Sequence, residues 1–110
     1  MSSGSDNELQ HLLNHPLLHP VRLAVALYLL PREGAYLSDI AKALGITFGN
    51  LRYHLDAMAQ HGYIEEKVVF RDRPRKLIRL TPKGAEELRK IMSLLKRYLE
   101  AQERGGSVES

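Results

Sequence analysis

The chain contains no cysteine and no tryptophan, and only five Tyr and two Phe among its 110 residues. The lack of cysteine excludes a disulfide framework, a thiolate zinc site and a cysteine nucleophile, and it fits a reducing, cytoplasmic setting. The scarcity of aromatic rings leaves little with which to stack unpaired bases, which disfavours an RNA-binding module. Long apolar runs are also missing. The longest, Leu23 to Leu30, has eight residues, against the ~20 that span a bilayer. The opening Met1–Glu8 has neither a basic nor an apolar region and does not read as a secretory signal. There is no Gly-rich phosphate loop, no nucleophile elbow and no His-Glu-x-x-His motif. The adjacent acids Glu65-Glu66 and Glu86-Glu87 read as solvated surface. The chain is therefore not expected to be an enzyme.

The clearest positive feature is uneven charge. The formal net charge is only +3, yet residues 67–83 hold seven basic side chains (Lys67, Arg71, Arg73, Arg75, Lys76, Arg79 and Lys83) against the single acid Asp72. The other 93 residues carry nine basic and twelve acidic side chains. All of the positive excess lies in one short segment, which points to a polyanionic partner.

Periodicity and turn chemistry divide the chain into elements. Leu9, Leu12 and Leu13 have helical spacing before Pro16 interrupts them. From Pro20 to Leu30 the pattern is apolar on more than one face, as in a buried helix, and Pro31 and Gly34 end it. Tyr36-Leu37 is long enough only for an edge strand. Ser38 is expected to cap a helix that buries Ile40, Ala41 and Leu44 and stops at Gly45. Thr47 caps a second helix, expected over 48–61, with Leu51, Leu55 and Met58 inward and Gly62 as its stop. Two short helices across a tight Gly turn form a helix-turn-helix. Ile64, Val68 and Phe70, then Ile78 and Leu80, alternate on either side of a charged loop, Arg71–Arg75, predicting a β-hairpin. Thr81 with Pro82 opens a last helix, which continues through Leu88, Ile91, Met92, Leu95, Tyr98 and Leu99 to about Gln102. The fold class is mainly α with a small β-hairpin. Residues 1–8 and 104–110 read as disordered ends, 9–81 as the domain and 82–103 as a C-terminal dimerisation helix.

The run Leu37-Ser38-Asp39-Ile40-Ala41-Lys42-Ala43-Leu44-Gly45-Ile46-Thr47, followed by Leu51-Arg52-Tyr53-His54-Leu55, Gly62-Tyr63-Ile64, a basic hairpin and Leu80-Thr81-Pro82-Lys83-Gly84, resembles the winged helix-turn-helix of ArsR/MarR-type transcriptional regulators of small archaeal and bacterial type. The resemblance spans roughly residues 16–100. It implies a DNA-binding regulator with a recognition helix and a basic wing. Soft-metal sensors of the ArsR type use Cys ligands, and this chain has none, so no metal or other cofactor is expected.

With Leu51, Leu55 and Met58 inward, helical angles turn Gly49, Asn50, Arg52, Tyr53, Asp56 and Gln60 outward. A recognition helix reads base edges with its N-terminal residues. Arg52 has the paired donors for guanine and Asn50 the paired groups for adenine, each worth ~1–3 kcal/mol of discrimination. Gly49 lets the backbone approach a groove, Tyr53 offers a hydroxyl and a ring, and Thr47 leaves helix amides for a phosphate. Ser38 belongs to the same candidate surface. His54 falls at the boundary, where support of the fold competes with base contact. On the hairpin, Arg71, Arg73, Arg75 and Lys76 suit phosphates or a narrow minor groove. An edge that merely deters strand pairing is the plainer alternative.

His11, His15 and His19 have four-residue spacing, but Pro16 breaks the face they would share, and a metal site is not expected. The apolar surface of the last helix, together with Leu9, Leu12 and Leu13, suggests a homodimer, whose two recognition helices would lie ~34–36 Å apart. The reading is a sequence-specific regulator of double-stranded DNA, a homodimeric repressor, with a small-molecule effector left open. The alternative is a winged-helix protein–protein module in a transcription or replication assembly.

Overall fold

The computed structural model describes the backbone of residues 3–109 and the side chains of residues 7–101. In chain order the elements are α1 (Ser3–Leu13), α2 (Pro20–Leu29), β1 (Ala35–Tyr36), α3 (Leu37–Leu44), α4 (Phe48–Gln60), β2 (Ile64–Phe70), β3 (Pro74–Leu80) and α5 (Pro82–Glu109). The strands form one antiparallel sheet in the order β1-β3-β2. This is the mainly helical, winged arrangement that the cap and turn signals predict.

Local chemistry accounts for most boundaries. His19 caps α2, its Nδ1 accepting from the Val21 amide at 3.2 Å, and Pro20 follows at the first helical position. Gly45 adopts φ +67°, and its amide donates to Ala41 O at 2.9 Å, closing α3. Thr47 Oγ1 then accepts from the Asn50 amide at 3.1 Å, so α4 starts at Phe48, three residues after Gly45. Ser38, however, is not the cap of α3. Tyr36, still in strand conformation opposite Leu77, occupies the cap position without a side-chain bond, which places Ser38 inside the first turn. The chain passes from strand to helix without an intervening turn, and the extended backbone a cap requires falls on the last strand residue.

The core joins Leu17, Val25, Leu29 and Ile40 to Leu51, Leu55 and Met58 of α4, Ile78 of β3 and Leu88 of α5. Leu88 and Ile91, expected to face a partner helix, are buried here within their own chain, and Leu12 and Met92 pack partly against the same core. The first turns of α5 lie against α2 and β3, so position 81/82 does not separate a domain from an appended helix. The molecule measures 61 × 26 × 23 Å. A 28-residue helix is about 42 Å long at 1.5 Å per residue, and its distal half extends beyond the core.

Three further features complete the fold. Backbone helix covers residues 3–8 and 104–109; Met1, Ser2 and Ser110 lie outside the described residues. Neither end contains proline, and adding residues to an existing helix costs far less than starting one. The hairpin loop is also shorter than Arg71–Arg75. Pro74 and Arg75 pair with Phe70 and Val69, leaving residues 71–73 at the tip. As the position of Pro16 implies, the three histidines do not share a face: α1 ends at Leu13, His15 lies in the following loop and His19 caps α2. Among the described residues, no helix is long and apolar enough to cross a membrane.

Candidate nucleic-acid interface

The site is built from two elements anchored on the core. Burying Leu51, Leu55 and Met58 turns Phe48, Gly49, Asn50, Tyr53, Asp56 and Gln60 of α4 to solvent, as the 3.6-residue period requires. Tyr53 is 67% exposed. A Cβ added to Gly49 would meet nothing within 4 Å, so its surroundings within the chain do not demand glycine.

Arg52 departs from this pattern. Its Nε donates to Asp56 Oδ1 at 3.1 Å, its Nη2 pairs with Glu66 on β2, and its Nη1 is buried without a hydrogen-bond partner among the described residues. The Glu66 contact above all, with lesser contributions from Asp56 and against the cost of burial, raises its pKa. The guanidinium expected to read guanine is thus committed to two carboxylates. The sequence reading places Glu66 on solvated surface, although its position two residues from Ile64 puts it on the core-facing side of the strand.

His54 is a support rather than a base contact. It is buried, its Nδ1 accepts from Arg22 Nε at 3.0 Å, and its ring lies 4.2 Å from that of His19. Arg22 continues to Pro16 O at 3.1 Å, tying α4 to the entry of α2. Burial first, then His19 and Arg22, push the His54 pKa down. The neutral ring keeps the lone pair that accepts from Arg22. On α5, Glu87 accepts from His15 Nε2 at 2.9 Å, and this bond holds its carboxyl below the usual range.

Both shifts link stability to pH in the same direction. A depressed folded pKa gives stability that is complete above the unfolded value and lost as the pH falls through the folded one. The His54 contribution should therefore decline below about pH 6.5 and that of Glu87 below about pH 4.3. Urea denaturation at neutral pH and at mildly acidic pH should show lower stability in acid, with a smaller difference in His54→Gln. An unchanged difference in that variant would reassign the effect to other groups.

The wing supplies the cations. Arg71 and Arg73 are exposed at the tip, with the Arg71 amide donating to Arg73 O at 3.3 Å. The Arg75 guanidinium stands 4.9 Å above the Tyr36 ring, and Lys76 is exposed. A cleft of about 170 Å³ joins the starts of the two helices to the wing. Tyr36, Leu37, Ser38 and Phe48 form one side, and Arg73, Pro74, Arg75 and Lys76 the other. The fold thus gathers Ser38 and three of the four wing cations beside the capped end of α4. No sequence signal points to Phe48 and Tyr36 there, because their role depends on how the wing folds over them.

A family model described as a winged helix DNA-binding domain matches residues 21–99. The chain belongs to this winged helix family. A transcriptional regulator homologue from Pyrococcus horikoshii OT3 is 36% identical, with 87% of this chain and 97% of that chain covered at a TM-score of 0.82. A PadR-like transcription factor from B. fragilis is 26% identical over 74% of this chain and 84% of its own, at a TM-score of 0.64. The S. aureus MepR–DNA complex shares the fold at 21% identity, with 94% and 88% covered and a TM-score of 0.71. No curated protein sequence matches significantly. The winged helix reading is therefore established.

Proposed function

We propose that this winged helix protein is a sequence-specific regulator of double-stranded DNA that acts as a homodimeric repressor. The observation that carries the proposal is the cleft at which the start of α4 meets the cationic wing, because one duplex laid there touches both. The N-terminal part of α4 enters the major groove, with Asn50 and Tyr53 on base edges and Gly49 allowing close approach of the backbone. Arg52 joins the readout where guanine replaces Glu66 as its partner. Arg71, Arg73, Arg75 and Lys76 engage phosphates or the adjoining minor groove. MepR, with the same fold, was crystallised on DNA, which supports the same use of this surface.

The dimer rests on the distal part of α5 and on α1. Leu95 and Leu99 of α5 and Leu9 and Leu13 of α1 are exposed, and a second copy would cover them; Tyr98 is half-buried beside them. The test is duplex selection from a random pool, followed by titration at two salt concentrations. Expected are a defined sequence, two chains per site, and a loss of roughly 10³-fold or more between 50 and 200 mM salt, as for several phosphate contacts. Gly49→Ala should stabilise the free protein by up to about 1 kcal/mol through helix propensity yet weaken duplex binding. Salt-insensitive binding or none would remove the DNA reading in favour of a protein–protein module. One chain per site would remove the dimer.

A further inference from the structure

The wing is more than a cationic finger. Directly opposed residues in an antiparallel pair share one face of the sheet, as do alternate residues along a strand. The register sets Glu66 opposite Ile78, Val68 opposite Lys76 and Phe70 opposite Pro74, so all six lie on one face. At its base this face is covered: Ile78 is fully buried, and Glu66 reaches Arg52 of α4. Beyond Glu66 the cover ends. Val68 is 51% exposed and Phe70 76% exposed, although the alternation in the sequence predicts that both turn inward. The strands outrun the helices beneath them, and the apolar pattern continues past the edge of the core.

A phenylalanine left this open on a hairpin tip gains nothing from the chain's own fold, and three features around it select its partner. Arg71 and Arg73 stand beside it on the three-residue loop and outnumber Asp72 between them, which favours an anionic neighbour for whatever covers the ring. Pro74 lies across from it, giving a stiff apolar rung immediately behind the charged tip. The face itself is the one that looks toward α4. Apolar side chains among arginines are the devices with which proteins enter the minor groove and unstack a base step.

We propose that Phe70, backed by Pro74, is a wedge that enters the minor groove of duplex DNA and partly unstacks one base step. The inference rests on the DNA reading above and adds a source of specificity distinct from α4. Deformable pyrimidine–purine steps, TA and CA, are favoured where the wing lands, because they unstack at least cost. Asn50 and Tyr53 then read the major groove, while Phe70 reads the ease of deformation at base pairs α4 never touches.

The experiment uses the full chain and a duplex recovered from the random pool, with 2-aminopurine in place of adenine at each pyrimidine–purine step in turn. Wild type should raise the fluorescence several-fold at one step on the wing side and bend the duplex by about 20–90°, measured by circularly permuted gel shift. Phe70→Ala should lose both signals while keeping the salt dependence of binding, since the wing cations remain. Phe70→Leu, which preserves an apolar wedge, should restore much of the bend. Because the ring is exposed, both variants should retain the wild-type melting temperature. Salt-dependent binding by wild type without unstacking at any step would overturn the wedge and leave the DNA reading standing. So would equal unstacking by Phe70→Ala, or a change in that variant confined to self-association. Absence of salt-dependent duplex binding by wild type would overturn both.

Discussion

Gly84→Ala should destabilise the protein by roughly 3 kcal/mol, at the upper end of overpacking effects, and lower its melting temperature by about 4–8 °C for each kcal/mol. On an open helix surface the same substitution would stabilise, because alanine exceeds glycine in helix propensity by about 1 kcal/mol. Gly84 is not in the open. A Cβ there would lie 2.2 Å from Tyr63 O and 2.9 Å from Leu80 Cδ1. Backbone on one side and core on the other leave the clash no inexpensive way out. The contact joins three elements: Thr81 N donates to Tyr63 O at 2.9 Å, Thr81 Oγ1 donates to Gly62 O at 2.6 Å, and the Gly84 amide donates to Thr81 Oγ1 at 3.0 Å. This knot fixes the start of α5 against the turn that leads from α4 into the wing. Thermal and urea denaturation of Gly84→Ala and Gly49→Ala should therefore move in opposite directions. Stabilisation of both would show that the chain relaxes around Gly84 at little cost.

The contrast between these two glycines shows where sequence reasoning succeeds and where it stops. Gly45, Thr47, Gly62 and the Thr81-Pro82 pair announce their roles because caps and left-handed turns are made within a few residues, by chemistry that needs no distant partner. Gly45 and Gly62 indeed have positive φ, and Thr47 caps α4. The outward face of α4 is legible for the same reason: three buried residues set the helix phase. Gly84, Arg52, Leu88 and Phe70 are different. Each owes its state to an element far along the chain: Tyr63 against Gly84, Glu66 beside Arg52, the core of α2 and β3 over Leu88. For Phe70 it is the absence of a covering helix. Period and charge assign a residue to a face. Whether that face is then covered, clamped or left open depends on the lengths and angles of neighbouring elements, which no local pattern encodes.

Arg73→Ala combined with Arg75→Ala should weaken duplex binding roughly thirtyfold at 0.15 M salt and reduce the salt slope by about two, one unit for each phosphate no longer neutralised. The figure follows from counterion release, in which each neutralised phosphate scales affinity with nearly the first power of salt. Sequence preference should stay as in wild type, because Asn50 and Tyr53 on α4 are untouched. The two arginines need not contribute equally. Arg73 is exposed at the tip, whereas Arg75 stands over the Tyr36 ring, pre-placed and with less freedom to lose on binding. The single variants should therefore rank Arg75→Ala as the more damaging. An equal change of charge elsewhere provides the control. Arg89→Ala with Lys96→Ala removes two exposed cations from α5, away from the cleft, and should alter the slope little. If both double variants weaken binding alike, net charge rather than the wing draws the duplex. If neither does, the cations of residues 67–83 serve another partner, and the uneven charge of the chain marks a protein surface instead.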